Sequence, residues 1–321
     1  MPSRSAQSHR WTADQIPDQS GRIVVITGAN TGLGLEAARV LAGRGASVVL
    51  ACRDARKASA AAKQISAVVP RAEIETLGLD LASLDSVRGA AQRLRENHSR
   101  IDLLINNAGL MIPPLGRTKE GFEQQFGVNH LGHFALTGLV LDRVLAAKDS
   151  RIVTVSSSGH RQGTIDFDDL QWRNRKYNAM GAYAQSKLAN LMFTYHLQRQ
   201  LRAAGSETLS VAGHPGISRT DLYQYAPGFM KVMVTPRLRL INSWFAHPVD
   251  AATLPILLAA TDPKVSGAQY YGPSGVGEFT GPPKLTDSSD ISYDEAQQKR
   301  LWEASERLTG VVYQFAGLRS S

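Results

Sequence analysis

Ile23-Val24-Val25-Ile26-Thr27-Gly28-Ala29-Asn30-Thr31-Gly32-Leu33-Gly34 reads as a strand, a glycine turn and the start of a helix. The all-apolar run Ile23 to Ile26 suits a parallel strand buried on both faces. After Gly34, Leu35, Ala38, Leu41 and Ala42 recur with helical period, and Gly45 is a plausible stop. Glycines let the backbone turn tightly and approach a phosphate, which the N–H groups and dipole of the helix start then stabilise. The spacing Gly28-x3-Gly32-x-Gly34 departs from the commoner Gly-x-Gly-x-x-Gly, and no Lys-Ser/Thr of a triphosphate loop follows. The turn alone therefore fits a dinucleotide or S-adenosylmethionine.

Working outward, further strand-like runs follow the first at intervals that leave room for helices. They are Ser47 to Ala51, Glu73 to Leu79 before Asp80, and Ile101 to Ile105 before Asn106-Asn107-Ala108-Gly109. Arg151 to Val155 then runs into Ser156-Ser157-Ser158, and Thr208 to Ala212 precedes His214-Pro215-Gly216. This alternation predicts an α/β chain, a single Rossmann-like doubly wound parallel sheet of about seven strands with helices on both faces. Tyr183 and Lys187 lie four residues apart, about one helical turn, so phenol and ammonium share a face. An isolated pair of this kind is usually an ordinary helix surface. With a glycine turn before it and a serine-ended strand between, it reads as an acid–base centre. A hydrolase reading is weak, because no glycine-flanked nucleophile elbow surrounds the serines and His160 and His214 suit a loop and a His-Pro turn.

Thr-Gly-x3-Gly-x-Gly, Asn106-Asn107-Ala108-Gly109, Asn129, Ser157, Tyr183-x3-Lys187 and Pro215-Gly216, in this order, resemble the short-chain dehydrogenase/reductase family from about Gly21 to about Ala260. Ala51-Cys52-Arg53-Asp54, Asn129-His130-Leu131-Gly132-His133-Phe134 and Ser186-Lys187-Leu188-Ala189-Asn190 are most similar to its retinol dehydrogenase and protochlorophyllide reductase-like branch. The resemblance implies a nicotinamide-dependent oxidoreductase in which Tyr183 is the general acid, with its phenol made more acidic by Lys187. It implies that Ser157 contacts the substrate oxygen, with Ser156 as runner-up. It gives Asn129 a relay water, against the alternative of a helix-bending amide. Cofactor contacts carried over are Gly28, Asn30, Thr31, Gly32, Leu33, Gly34, Asp80, Leu81, Asn107, Ala108, Gly109, Tyr183, Lys187, Pro215, Gly216, Ile217 and Thr220. Asp80 would accept from the adenine amino group, unless it caps the helix that starts near Leu84, a role for which Ser83 competes.

Where an acidic residue commonly binds both ribose hydroxyls, this chain has Cys52 and then Arg53. A guanidinium fork pairs well with a 2′-phosphate, so NADP(H) is favoured, with Arg53 as determinant and Asn30 assisting. The other reading makes Arg53 a surface residue and gives the ribose to Asp54, which keeps NAD(H) open.

The remaining sequence bounds the setting. The chain has 321 residues, 43% hydrophobic and 20% charged, as expected of one globular α/β domain. Its net charge of +8 is dispersed and argues for a polyanionic cofactor rather than nucleic acid. One cysteine, Cys52, permits no internal disulfide, and the polar start lacks an apolar leader, so a reducing cytoplasm is the expected home. No apolar run of about 18 residues suggests an integral membrane segment. Residues 1–20 read as a loose arm, with a short helix near Trp11 to Ile16, ahead of a domain over 21–321. The apolar bulk of Phe229, Met230, Val232, Met233, Leu240, Trp244 and Phe245 marks 217–248 as a lid over a small apolar carbonyl or alcohol substrate. A dimer contact or a lipid-facing patch would have the same composition. The extension 270–321 fits no motif and could fold back over the pocket or contact a subunit, and the family admits a homodimer or homotetramer. Ser157 and Tyr183 are separated by 25 residues, an insertion expected to wall the substrate pocket. Its Asp166, Asp168 and Asp169 have no His or Cys beside them and read as a solvated loop, so no metal is expected. A catalytically idle NADP(H)-binding regulator or scaffold is the alternative to an enzyme.

If Arg53 selects the cofactor, Arg53→Ala lowers kcat/KM with NADPH about 10-fold or more and leaves NADH within about twofold. An unchanged preference in the variant would remove Arg53 from the account.

Overall fold

The computed structural model describes residues 10–216 and 248–315. Eight strands form one sheet in the order β3-β2-β1-β4-β5-β6-β7-β8. They are β1 Ile23–Thr27, β2 Ser47–Cys52, β3 Glu73–Gly78, β4 Leu103–Asn106, β5 Arg151–Val155, β6 Leu209–Gly213, β7 Tyr270–Pro273 and β8 Pro283–Leu285. The first seven run parallel, and β8 pairs antiparallel with β7 through Tyr271↔Leu285 and Pro273↔Pro283. The helices are α1 Gly32–Gly43, α2 Ala55–Val68, α3 Leu84–Asn97, α4 Gln124–Phe126, α5 Gly132–Leu139, α6 Leu141–Leu145, α7 Ala179–Ala203, α8 Val249–Thr261 and α9 Glu295–Thr309.

Strand alternation divides the core. Val24, Ile26, Val48, Leu50, Leu103 and Ile105 face Leu41 of α1, Ile65 of α2 and Ile256 of α8. Val25, Val49, Leu104 and Ile152 face the other way, toward Leu94 of α3, Phe134 of α5 and Phe193 of α7. Order reverses between β1 and β4, so the crevice outside their carboxyl ends is where an open parallel sheet places a ligand.

The sheet agrees with the expected count of about seven strands, with β8 a further three-residue segment too short for periodicity to reveal. Two other expectations are revised. The arm is not loose from Trp11 onward: Trp11 and Ile16 are buried in the core, and Arg44 donates to the Ala13 carbonyl at 2.9 Å. Its helical element is a short 3-10 turn, Ala13–Gln15. Finally, the acids of the insertion are not simply solvated. Arg175 bonds Asp166 at 3.0 Å, and Asp169, itself buried, accepts the backbone N–H groups of Arg173 and Asn174. The Arg175 guanidinium also stacks 3.8 Å from the Trp172 ring centroid.

The extension forms a further layer over α7. Trp302 of α9 stacks on Phe193 at 5.9 Å between ring centroids, and Tyr313 donates to the Phe134 carbonyl of α5 at 2.7 Å. A side chain on Gly138 would strike Tyr313 and Val311, so this covering needs the glycine. Trp302→Ala removes the centre of that aromatic cluster and is expected to lower unfolding free energy by about 3–5 kcal/mol. Denaturant titration measures it, and a loss under about 1 kcal/mol would mean that the layer is not part of the cooperative core.

Candidate active site

The glycine turn is built by close approach. Gly28 has φ 67°, and a Cβ there would lie 2.9 Å from Ala108 Cβ. A Cβ on Gly34 would lie 2.5 Å from Asn107 Nδ2 and 2.6 Å from the Gly28 carbonyl. The turn after β1 and the Asn107-Ala108-Gly109 loop after β4 therefore press together, with no room for larger residues. Thr27 Oγ1 joins them by accepting the Asn107 and Ala108 N–H groups, both at 2.9 Å. Asn107 Nδ2 returns a bond to the Thr27 carbonyl at 2.8 Å. Cys52 is buried against the turn with the Ala29 and Asn30 amides directed at its sulfur. Burial prevails over those contacts and pushes the thiol up to about 11.

Asn30, Thr31, Gly32 and Leu33 lie in the turn and the first residues of α1. Arg53 is exposed just past β2 and makes no hydrogen bond or ion pair among the described residues. Asp54 caps α2 by accepting the Arg56 and Lys57 N–H groups, so its carboxylate already has work. Beyond β3, Ser83 is the N-cap of α3, whereas Asp80 accepts the Ala82 N–H at 3.0 Å. Leu81 is buried, and a Cβ on Gly132 would lie 2.7 Å from its carbonyl oxygen.

Tyr183 and Lys187 occupy the second and third turns of α7, both buried. Lys187 Nζ lies 5.8 Å from the Tyr183 ring centroid and donates to the Val155 carbonyl at 3.1 Å. Ser157, only partly buried, caps the turn Ser158–Gln162 by accepting the Gly159 N–H at 3.1 Å, and its hydroxyl is near enough to the Tyr183 phenol to lower its pKa. A Cβ on Gly159 would lie 3.3 Å from the Tyr183 ring and 3.5 Å from Ser157 Oγ. Ser156, the runner-up, is turned into the core, donating to the Lys187 carbonyl at 2.9 Å.

Asn129 lies in a π-helical turn, Gly127–Leu131, a local widening common at functional sites. Its amide accepts from Leu110 N–H at 2.7 Å and donates to the Leu110 carbonyl and Ser186 Oγ. Gly109 is pressed against this group: a Cβ there would lie 3.2 Å from Asn129 Oδ1 and 3.6 Å from Lys187 Nζ. Pro215 and Gly216 follow β6, whose Gly213 pairs with Val155, so their loop leaves the sheet beside the Ser157 turn. Ile217 and Thr220 lie outside the described residues, as does nearly all of the segment read as a lid.

The electrostatics correct one expectation. Tyr183 is not made more acidic: burial raises its phenol above the ordinary value, and only the Ser157 hydrogen bond opposes this. Burial likewise lowers Lys187, to about 8. No hydrogen bond joins the ammonium to the phenol, and desolvation is the largest influence on both groups.

Two further residues of this site were not singled out in the sequence. Thr27 is the hub described above, and His133 bonds Thr27 Oγ1 through Nε2 at 2.9 Å and the Asn129 carbonyl through Nδ1 at 3.0 Å. A carbonyl can only accept, so the proton sits on Nδ1, and burial keeps the ring neutral, at about 4. The one available signal was spacing: His133 follows Asn129 by a helical turn.

Residues 22–227 match the family model for short chain dehydrogenases. The chain belongs to that family. Mouse retinol dehydrogenase 12 is 46% identical over 301 residues, covering 94% of this chain and 89% of the relative. Human retinol dehydrogenase 13 is 40% identical over 291 residues, covering 91% and 85%. A crystal structure of an uncharacterized protein from Mycobacterium paratuberculosis superposes with TM-score 0.79 at 41% identity, covering 95% of this chain and 99% of that one. The protein is thus an NAD(P)-dependent oxidoreductase of the retinol dehydrogenase-like branch, acting on CH–OH or C=O groups. Its residues suit such a nucleotide: the glycine turn leaves a backbone cradle at a helix start, and among the described residues no carboxylate pairs with Arg53. Among the described residues, no group of three His, Cys, Asp or Glu could hold a metal ion, and no helix is long and apolar enough to cross a membrane.

The buried lysine sets a pH test on the cofactor-free protein. Its folded value, about 8, lies below the ordinary lysine value of 10.5, so below pH 8 the native state carries the full cost of a buried cation. Between about 8 and 10.5 the unfolded chain holds the extra proton, so stability contributed by this group rises with pH. Lys187→Met should therefore be more stable than the parent by about 3 kcal/mol at pH 7, with the gap closing toward pH 10.5. The Val155 carbonyl keeps its bond from Asn190 Nδ2. A gap that stays flat across this range in urea titrations would mean that Lys187 is not a desolvated cation.

Proposed function

We propose that the chain reduces the carbonyl of a small apolar substrate, or oxidises the corresponding alcohol, with NADP(H) as its cofactor and Tyr183 as proton donor. What supports this best is the convergence of Ser157, Tyr183 and Lys187 in one largely buried cluster at the carboxyl end of β5. Bound NADPH supplies the hydride. The chain's own residues manage the charge that reduction leaves on oxygen. Tyr183, raised by burial, stays protonated through the neutral range and can donate to the developing alkoxide. The Ser157 hydroxyl, now shared with the phenol, offers that oxygen a second donor, worth about 3–4 kcal/mol when well placed.

Lys187 would hold the nicotinamide ribose and supply positive charge beside Tyr183. Asn129, lodged between Leu110, Ser186 and Gly109, would place a water for return of the proton. The glycine turn Gly28 to Gly34 would take the pyrophosphate, Asp80 and Leu81 the adenine, and Asn107, Ala108 and Gly109 the inner nucleotide. Pro215, Gly216, Ile217 and Thr220 would take the carboxamide, and the 2′-phosphate falls to exposed Arg53, since Asp54 is committed to the α2 cap. Apolar character rests on the composition of 217–248, read as a lid, and on similarity to enzymes named for retinol. A cytoplasmic setting is part of the same reading.

Tyr183→Phe keeps the ring and removes the proton. Across a panel of retinoid, steroid and fatty carbonyls it should lose roughly 100- to 10,000-fold in kcat while NADPH binding stays within a few-fold. Parent-like turnover in the variant would displace Tyr183. A parent inactive on the whole panel, yet binding NADPH, would favour a nucleotide-responsive regulator.

A further inference from the structure

Beyond the family motifs, the extension reaches back to the two loops beside the acid–base pair. Glu278 lies between them. Its Oε1 accepts from Arg161 Nη2 at 2.9 Å and from Thr286 Oγ1, and its Oε2 lies 3.2 Å from His214 Nε2. Arg161 belongs to the turn that Ser157 caps, and it also donates to the Asp287 carbonyl at 2.6 Å. His214 opens the Pro215-Gly216 loop. Its Nδ1 accepts the Gly216 N–H at 3.3 Å, which leaves the proton on Nε2, close to the carboxylate at 3.2 Å though not aligned as a hydrogen bond. A parallel tie runs through His160, which donates from Nδ1 to the Ser157 carbonyl at 2.6 Å and accepts the Ser289 N–H at Nε2.

This is more than a surface ion pair, which ordinarily contributes little. His214 is 1% exposed and the Glu278 side chain 16%. Glu278 also holds φ 59°, a left-handed conformation disfavoured for a residue with a Cβ and retained only where the surroundings enforce it. Space is equally constrained: a Cβ on Gly272 would collide with the His214 ring, and one on Gly216 with the Phe279 carbonyl.

We propose that Glu278 is a positioning residue, whose carboxylate ties the Ser157 turn to the His214-Pro215-Gly216 loop and so sets where the substrate oxygen meets the nicotinamide half of the cofactor. This rests on the oxidoreductase reading above. Among the described residues, Glu278 bonds neither Ser157 nor any of the predicted nucleotide contacts, and it acts through Arg161 and His214. The adenosine half is read at the far loops after β1, β2 and β3, so disturbing Glu278 should separate the two ends of the cofactor.

The test compares NADPH with adenosine 2′,5′-bisphosphate by titration calorimetry on the full chain, alongside kcat. Glu278→Gln keeps the shape and removes the charge. It should raise the NADPH Kd about 10-fold, lower kcat about 10- to 100-fold and leave the bisphosphate Kd within about twofold. Glu278→Gly relieves the left-handed backbone, guards against misfolding of the first variant, and should show the same split with Tm near that of the parent. Parent-like NADPH binding and kcat in both variants, or equal weakening of NADPH and the bisphosphate, overturns the proposal. Inactivity of the parent on carbonyls would sink the oxidoreductase reading instead, while the binding ratio still decides the role of Glu278.

Discussion

The arrangement at the centre of the sheet hangs on one hydroxyl. Thr27 Oγ1 accepts two backbone N–H groups from the β4 exit and donates to His133, which fills its hydrogen-bonding capacity. Because His133 spends its other nitrogen on the Asn129 carbonyl, the glycine turn, the Asn107 loop and the π-helical turn are fixed by one chain of bonds. Every member is buried or nearly so, and an orphaned donor there costs about 1–3 kcal/mol. The crevice at the strand-order reversal is therefore held open by backbone and small side chains. Bulk is excluded from it by the glycines themselves.

Much of this was legible in sequence because it is local. A four-residue apolar run and a glycine turn are enough to place β1 and α1, and Tyr183 and Lys187 share a helical face whatever surrounds them. What escaped was non-local. Asp80 and Ser83 are equally good caps on paper, and only the start of α3 decides for Ser83. Ser156 and Ser157 are chemically alike, and strand alternation turns one into the core and the other toward the crevice. Trp11 looks like part of a polar arm until α1 and its exit supply a surface to cover. The pKa of Tyr183 was misjudged for a related reason: sequence proximity gives the separation of two charges along a helix but says nothing about how much water is removed from both.

That desolvation gives the site its bias. A cation held at about 8 and a phenol held above its ordinary value are both poised on the protonated side at neutral pH. Such a pair is suited to giving a proton to a nascent alkoxide. Lys187 Nζ lies 5.8 Å from the ring centroid and donates instead to the Val155 carbonyl.

Holding buried polar groups in place requires a stiff support, and α7 supplies it. The helix runs for 25 residues with the acid–base pair near its start. Gly181 lies under Trp172 of the insertion, Asn190 Nδ2 bonds the β5 exit, and Phe193 is stacked beneath Trp302 of α9. Sheet on one side and extension on the other leave little freedom to slide or tilt, so the reacting side chains inherit the rigidity of a packed interior.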